Sequence, residues 1–280
     1  MARKASRTRR PRLRSGARPN KAGGDVKRIL NVLPSKHQEQ DWLFGNAVEA
    51  GVVAAAALPA TRDLREPWWA IGDQGSTGAC VGWATADSVL RWLFVKAGRL
   101  DKKERLSMRF IWMAAKETDE FAARPTTFIE DDGTSLKAAL DIARRYGAVV
   151  DEFLPFKTGK LYPNPANTFY ALAAQRKIAS YFNLGKNLAD WRAWLANKGP
   201  LLTRLDVDAT WDNAPKTHGN LDKSLPATVR GGHAVAIVGY TPDRFIVRNS
   251  WGTSWGDAGY AYASFGYAQA AFTETYGVTL

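Results

Sequence analysis

Apolar periodicity changes part-way along this chain, and that change restricts the fold more than any other feature. Over residues 79–96 (ACVGWATADSVLRWLFVK) apolar side chains recur at intervals of three and four with no proline, the spacing of a buried helix face. The same spacing predicts helices over 106–118 and 135–146, the second capped by Thr134 and ended by Gly147. Beyond about residue 165 the pattern shortens. Residues 169–181 and 201–207 read as strands, with an amphipathic helix over 188–196 between them that Gly199-Pro200 stops. Three clearer strands follow at 233–240, 244–249 and 259–264. A helical half followed by an antiparallel half implies an α+β chain of two lobes, helical over about 70–165 and β over about 166–280.

At 280 residues and 45% hydrophobic content, the chain can bury one large core or two smaller ones facing each other across a cleft. Its net charge of +12 belongs to one end. Residues 1–29 hold eleven Lys and Arg against the single acid Asp25, which is ten of the twelve charges. With so little apolar content this tail is expected to be disordered, and polyanion or nucleic-acid contact through it is the partner it suggests. No aromatic residue lies in it to stack on bases. One cysteine excludes an intramolecular disulfide, and with three histidines it leaves no Cys-rich zinc site. No apolar run reaches the roughly 20 residues of a membrane span, and no signal peptide is recognisable. A cytoplasmic, reducing location is the expectation, with no metal and no membrane partner; the oligomeric state is open.

Residues 30–57 form a second unit. Ser35 and Gln38 have capping-box spacing, and a helix is expected from there to about residue 57, where Pro59 ends it. Its apolar residues Trp42, Leu43, Val48 and Val52 need a partner. Two placements are open: over the cleft as an inhibitory propeptide, or against the back of the body as ordinary core.

A lone cysteine is most often an inert small hydrophobe. Cys80 stands differently, after a Gly-rich loop and at a predicted helix start, where unpaired N–H groups favour thiolate. It still needs a base. His37 lies in the N-terminal segment and His218 in a polar loop, whereas His233 opens an apolar strand behind Gly231-Gly232 and can be aimed into a cleft. Asn249, sixteen residues on at the end of the neighbouring strand, can hold the imidazole tautomer.

These residues sit in three blocks: Gln74-Gly75-Ser76-Thr77-Gly78-Ala79-Cys80, then Gly232-His233-Ala234-Val235, then Asn249-Ser250-Trp251-Gly252-Thr253-Ser254-Trp255-Gly256. In order and spacing they resemble the signature blocks of the papain/cathepsin cysteine peptidases, whose His and Asn lie about 130–150 residues after the nucleophile. The resemblance runs from about Leu58 to Leu280. It implies a papain-like two-lobed fold, a helical left lobe and an antiparallel β-barrel-like right lobe with the active-site cleft between, for a peptidase domain over 58–280. Thr77 stands where many members have a disulfide cysteine and Val81 where they have tryptophan. The first departure resembles the disulfide-free bacterial branch.

The resemblance also implies roles. Cys80 is the nucleophile, His233 the base, Asn249 its orienter, and the Gln74 amide with the Cys80 N–H the oxyanion donors. Gly133 resembles the glycine whose backbone pairs with an extended substrate. Thr134, Ser135 and Ala234 border the pocket for the residue before the cleaved bond, Trp251 shields the His–Asn hydrogen bond, and Trp255 flanks the leaving-group side. The reaction implied is endopeptidase hydrolysis of a polypeptide through an acyl-enzyme, without a cofactor. Deamidation, transpeptidation or isopeptide cleavage through the same triad, or an inactive papain-fold binding module with a nucleic-acid-binding tail, are the alternatives.

Overall fold

The computed structural model describes residues 27–54, 57–119 and 126–280. Most of the basic tail, and with it the expectation of disorder for residues 1–26, lies outside the described residues.

Residues 80–96 form one continuous helix that runs through the middle of the molecule, buried on every side up to Val95. Its central stretch, Trp83–Leu90, is wound as a π-helix, a widening found mostly at functional sites. Around it stand two helices with side-chain caps. Ser107 accepts the Phe110 N–H at 3.0 Å and starts Met108–Thr118. Ser135 accepts the Ala138 N–H at 3.3 Å and starts Leu136–Arg145. The cap is thus Ser135, and not the expected Thr134, whose hydroxyl donates to Asp119 instead. Residues 169–181 are a correction as well. Ala166–Ala174 is a helix that buries Phe169 and Ala173, four apart, and the strand begins only at Ser180. A short apolar run is ambiguous between the two periods, and the alanines here favour helix.

The other lobe is built on strands β1 (Arg62–Asp63), β2 (Ser180–Asn183), β3 (Leu201–Val207), β4 (Asn220–Leu221), β5 (Gly231–Tyr240), β6 (Arg244–Arg248), β7 (Tyr260–Ser264) and β8 (Phe272–Thr279). Their order is β2-β8-β3-β5-β6-β7-β4, with β1 added on β5. All pairs are antiparallel except β4 with β7. The end strands β2 and β4 do not pair with each other, so the sheet stays open where a barrel-like closure was expected. The α+β two-lobed architecture stands. β5 is the central strand and is buried along nearly its whole length. It lies against the Cys80 helix, and that contact places a cysteine from one lobe beside a histidine from the other.

The expected 35–57 helix is shorter than the sequence suggests. A single turn at Gln38–Gln40 precedes Phe44–Glu49, because Ser35 is committed elsewhere: its N–H donates to Glu274 and its hydroxyl accepts from the Lys137 N–H. Trp42, Leu43 and Val48 remain exposed, Val52 is half-buried, and Ala47 and Val53 are the residues that reach the core. Among the described residues no helix is long and apolar enough to cross a membrane.

Candidate active site

Hydrogen-bond chemistry fixes the state of the histidine without any assumption about mechanism. Asn249 Oδ1 accepts the Ser250 backbone N–H at 2.8 Å. A backbone N–H can only donate, so that side-chain atom must be the oxygen. The same oxygen lies 2.8 Å from His233 Nε2. Nε2 must therefore carry a proton, and in the neutral ring the lone pair is on Nδ1. Among the described residues Nδ1 has no hydrogen-bond partner. The next residue, Ala234, lies in β5 against the helix that Cys80 begins, and its backbone amide, with those of Val81 and Cys80, favours the thiolate.

Ser250 ties this pair to Gln74. Its hydroxyl donates to Gln74 Oε1 at 2.7 Å, and its carbonyl accepts the Gln74 N–H at 2.9 Å. Gln74 Nε2 donates to the Thr77 carbonyl at 2.9 Å. An amide nitrogen has two hydrogens, so one N–H of Gln74 is left over. Trp251 lies beside the imidazole, ring centroids 4.8 Å apart. Trp255 instead stacks on Trp211 at 4.9 Å and donates its ring N–H to the Trp211 carbonyl. Trp211 meets the edge of His233 at 5.6 Å. The sequence reading missed Trp211. Its only signal, a tryptophan in a short polar segment, is not distinguishable from core.

The residues expected on the substrate side are brought together, but they face the protein's own chain. Asn31 pairs with Gly232 as a parallel bridge, the Val32 N–H donates to the Gly232 carbonyl at 3.2 Å, and the Leu33 N–H donates to the Thr134 carbonyl at 3.1 Å. A Cβ on Gly133 would stand 2.3 Å from the Asn31 carbonyl oxygen, and one on Gly232 2.5 Å from that of Val32. Both positions need glycine for this close passage. On one side Gly133 and Thr134, and on the other Gly232, thus grip an extended segment formed by residues 28–33. Ser135 is spent on capping its helix and Ala234 lies in β5 next to His233. Arg28, expected in the disordered tail, is docked: its guanidinium donates to Asp73 Oδ1 at 2.7 Å, to the Gly75 carbonyl and to the Trp251 carbonyl. What lies in the cleft is this strand, and not the following helix.

Residues 58–277 match the family model described as papain family cysteine protease. The chain belongs to the papain family. It is a cysteine peptidase, a hydrolase. It is 28% identical over 230 residues to the cathepsin B-like CP3 of Giardia intestinalis, covering 76% of this chain and 72% of that protein. It is 24% identical over 226 residues to cysteine proteinase 2 of Leishmania pifanoi, 75% of this chain and 46% of that one. Among solved structures it resembles xylellain, a cysteine protease from the bacterium Xylella fastidiosa, with a TM-score of 0.73 at 21% identity over 92% of this chain and 98% of that one. It also resembles the bromelain protease of Ananas comosus in complex with the E64 inhibitor, with a TM-score of 0.59 at 19% identity over 80% and 100%.

For this papain-family site, burial sets the electrostatics. Cys80 and His233 are both fully buried. Burial pushes the Cys80 thiol up to about 11, against the pull of the surrounding amides. Burial also pushes His233 down to about 4; the Asn249 hydrogen bond opposes this and the nearby Arg28 charge adds to it. A desolvated pair keeps its neutral forms, thiol and imidazole.

A second feature of the papain-family chain that the sequence concealed lies one residue before Asn249. Arg248, fully buried, pairs with Asp87 Oδ2 at 3.0 Å and donates to Ser88 at 2.7 Å and to the Ala70 carbonyl at 2.8 Å. Asp87 also takes Arg91 at 3.2 Å. This group joins β6 to the π-wound part of the Cys80 helix, and so joins the strand that carries Asn249 to the helix that carries the cysteine.

Proposed function

We propose that the chain is an endopeptidase in which Cys80, His233 and Asn249 form a triad that cleaves polypeptides through a covalent acyl-enzyme. The observation that carries this reading is the forced tautomer: an Asn249 oxygen held by Ser250 compels the proton onto Nε2 and leaves the basic Nδ1 beside the strand that contacts Cys80. His233 takes the thiol proton, and the thiolate attacks the peptide carbonyl carbon. The oxyanion accepts from the spare Gln74 N–H and the Cys80 backbone N–H at a helix start. The imidazolium then gives its proton to the leaving amine, and water cleaves the thioester with His233 again as base. No charge has to be relayed to Asn249, since orienting the ring is all the mechanism asks of it.

Residues 28–33 act in this reading as a cover. They occupy the grip of Gly133, Thr134 and Gly232 that an extended substrate backbone would need, a form of β-augmentation by the protein's own chain. The protein as described is therefore a covered form of the enzyme, and substrate enters when the segment leaves.

Mass spectrometry of a digested unstructured polypeptide tests the reaction. New termini that depend on Cys80, and an adduct on Cys80 with an epoxide that alkylates papain-like thiolates, are expected. Amide exchange or deamidation without new termini would transfer the triad to the alternative chemistry. A Cys80→Ala chain that still cleaves would end the assignment.

A further inference from the structure

Asp73 is a charged group at the rim of the site to which the triad assigns no task. The fold holds it firmly. Its backbone forms an antiparallel bridge with Trp251, and its Oδ1 accepts the Gly75 N–H at 2.9 Å. It directly precedes the oxyanion residue Gln74. The carboxylate is presented toward the cleft, 43% exposed even with Arg28 upon it.

What Arg28 finds there is a complete set of acceptors for a cation. Its Nη1 donates to Asp73 Oδ1 at 2.7 Å and to the Gly75 carbonyl at 3.2 Å, and its Nη2 donates to the Trp251 carbonyl at 3.0 Å. Its Cζ lies 5.6 Å from the centroid of the Trp251 ring. A carboxylate, two carbonyl oxygens and an aromatic face all favour a guanidinium or ammonium, and disfavour an anion. All four groups belong to Asp73, Gly75 and Trp251, outside the N-terminal segment, and are present whether or not that segment lies in the cleft. Partial burial pushes the Asp73 carboxyl up, and the Arg28 guanidinium and Gly75 N–H outweigh it, so the group stays below its ordinary value and ionised.

The position of this corner follows from the course of the segment. Arg28 sits at Asp73 and Trp251, Asn31 at Gly133 and Gly232, and Leu33 at Thr134. Asp73 and Gly133 therefore lie at different points along the cleft, with the end of the cleft at Trp251, over His233, taken by the cation. Given that Gly133 and Thr134 hold the acyl half of a substrate, the corner at Asp73 faces the leaving-group half.

We propose that the Asp73 carboxylate and the Trp251 ring form a subsite for an arginine or lysine side chain on the leaving-group side of the scissile bond, and that Arg28 fills it in the covered form as an intramolecular competitor. The substrate class this selects is polypeptide with a basic residue after the cleaved bond. The inference rests on the peptidase reading for the meaning of the subsite, and its test does not depend on turnover.

The test uses the full chain carrying Cys80→Ala and Arg28→Ala, which cannot cleave and has lost the competitor. Fluorescein-labelled decapeptides identical but for one Arg, Gln or Glu are titrated and binding is read by anisotropy. The expected order is Arg, then Gln, then Glu, with Arg at least tenfold tighter than Gln, and the Arg preference is expected to shrink when Arg28 is restored. Adding Asp73→Asn is expected to reduce the Arg-to-Gln ratio to near one. Equal affinities for the three peptides, absent binding included, would overturn the proposal, and so would a ratio that survives Asp73→Asn. If Asp73→Asn fails to fold, the three-peptide series decides alone. Hydrolysis is measured separately on Arg28→Ala with Cys80 intact: cleavage preceding Arg is the expected pattern, and a preference for Arg only before the cut bond would overturn the placement. A chain that binds the Arg peptide selectively and cleaves nothing would sink the peptidase reading and leave the cation subsite standing.

Discussion

Arg28→Ala should expose the active-site cysteine. The side chain makes one charge-assisted hydrogen bond, two bonds to carbonyls and a face contact with Trp251. Hydrogen bonds to charged groups contribute about 1.5–3 kcal/mol when shielded. Asp73 is 43% exposed, so solvent screening places the whole set near the low end, about 1.5 kcal/mol. That is about a tenfold rise in the population of the uncovered form. Thiol chemistry reads this population directly. In the covered form burial holds Cys80 at about 11 against an ordinary 9.0, so its thiolate is roughly a hundredfold scarcer at pH 7 than that of an ordinary thiol. Alkylation must then proceed through the uncovered form. The assay is the pseudo-first-order rate of iodoacetamide labelling at pH 7, followed by intact mass, with one cysteine giving one adduct. About a tenfold faster rate is expected for Arg28→Ala, with a pH profile displaced to the acid side. The sign follows from burial: it favours the neutral thiol, so uncovering lowers the pH at which thiolate forms. A rate within twofold of the unaltered chain would refute the view that Arg28 fastens the cover.

The triad predicts a graded series in peptide hydrolysis. Cys80→Ala should abolish it with the fold kept, His233→Ala should be nearly as severe and Asn249→Ala milder, and an Asn249→Ala loss exceeding that of His233→Ala would reverse the assigned roles. Gln74→Ala should lower turnover by about 10²–10³, the usual loss for one oxyanion donor, and an unchanged rate would move the oxyanion site elsewhere. Asp87→Ala leaves Arg248 and Arg91 charged and buried, so denaturant unfolding should show a loss of about 3–5 kcal/mol; a loss below 1 kcal/mol would mean that the buried arginines find other partners.

The residues that react were the easiest to read, because each is fixed by its neighbours in the chain. Gln74 and Cys80 share one Gly-rich loop and helix start, and His233 and Asn249 stand at the matching ends of two paired strands. Local sequence carries that geometry. The residues that cover and brace the site were hidden, because their partners are far away in sequence. Arg28 meets Asp73, 45 residues on, and Trp251, 223 residues on. Read by composition, it is one of eleven basic residues in a tail with too little apolar content to fold. Its anchoring comes from a carboxylate and an indole ring contributed by another part of the chain. Asp87 lies inside an apolar helical stretch, and only the packing of β6 on that helix brings Arg248 to it. The helix at Ala166–Ala174 failed for a different reason: nine residues contain too few turns for periodicity to distinguish helix from strand.

A cover fastened by a cation acts on the chemistry as well as on access. Steric closure alone would leave the nucleophile charged but unreachable. Here Cys80 and His233 are also buried, and desolvation takes the pair to its neutral forms. The Arg28 guanidinium adds to this, since a positive charge close to His233 opposes formation of imidazolium. An acidic latch in the same place would do the reverse, supporting the imidazolium and with it the thiolate. In the proposed covered form, release of Arg28 would therefore do two things in one step: free the grip of Gly133 and Gly232, and remove a charge that opposes the imidazolium. A basic residue brought by substrate to Asp73 replaces the cation at that corner without replacing the whole segment. The substrate's charge then opposes the imidazolium as Arg28 does, and the pair regains basicity only as far as water returns to it, while Gln74 and the Cys80 N–H hold the developing oxyanion.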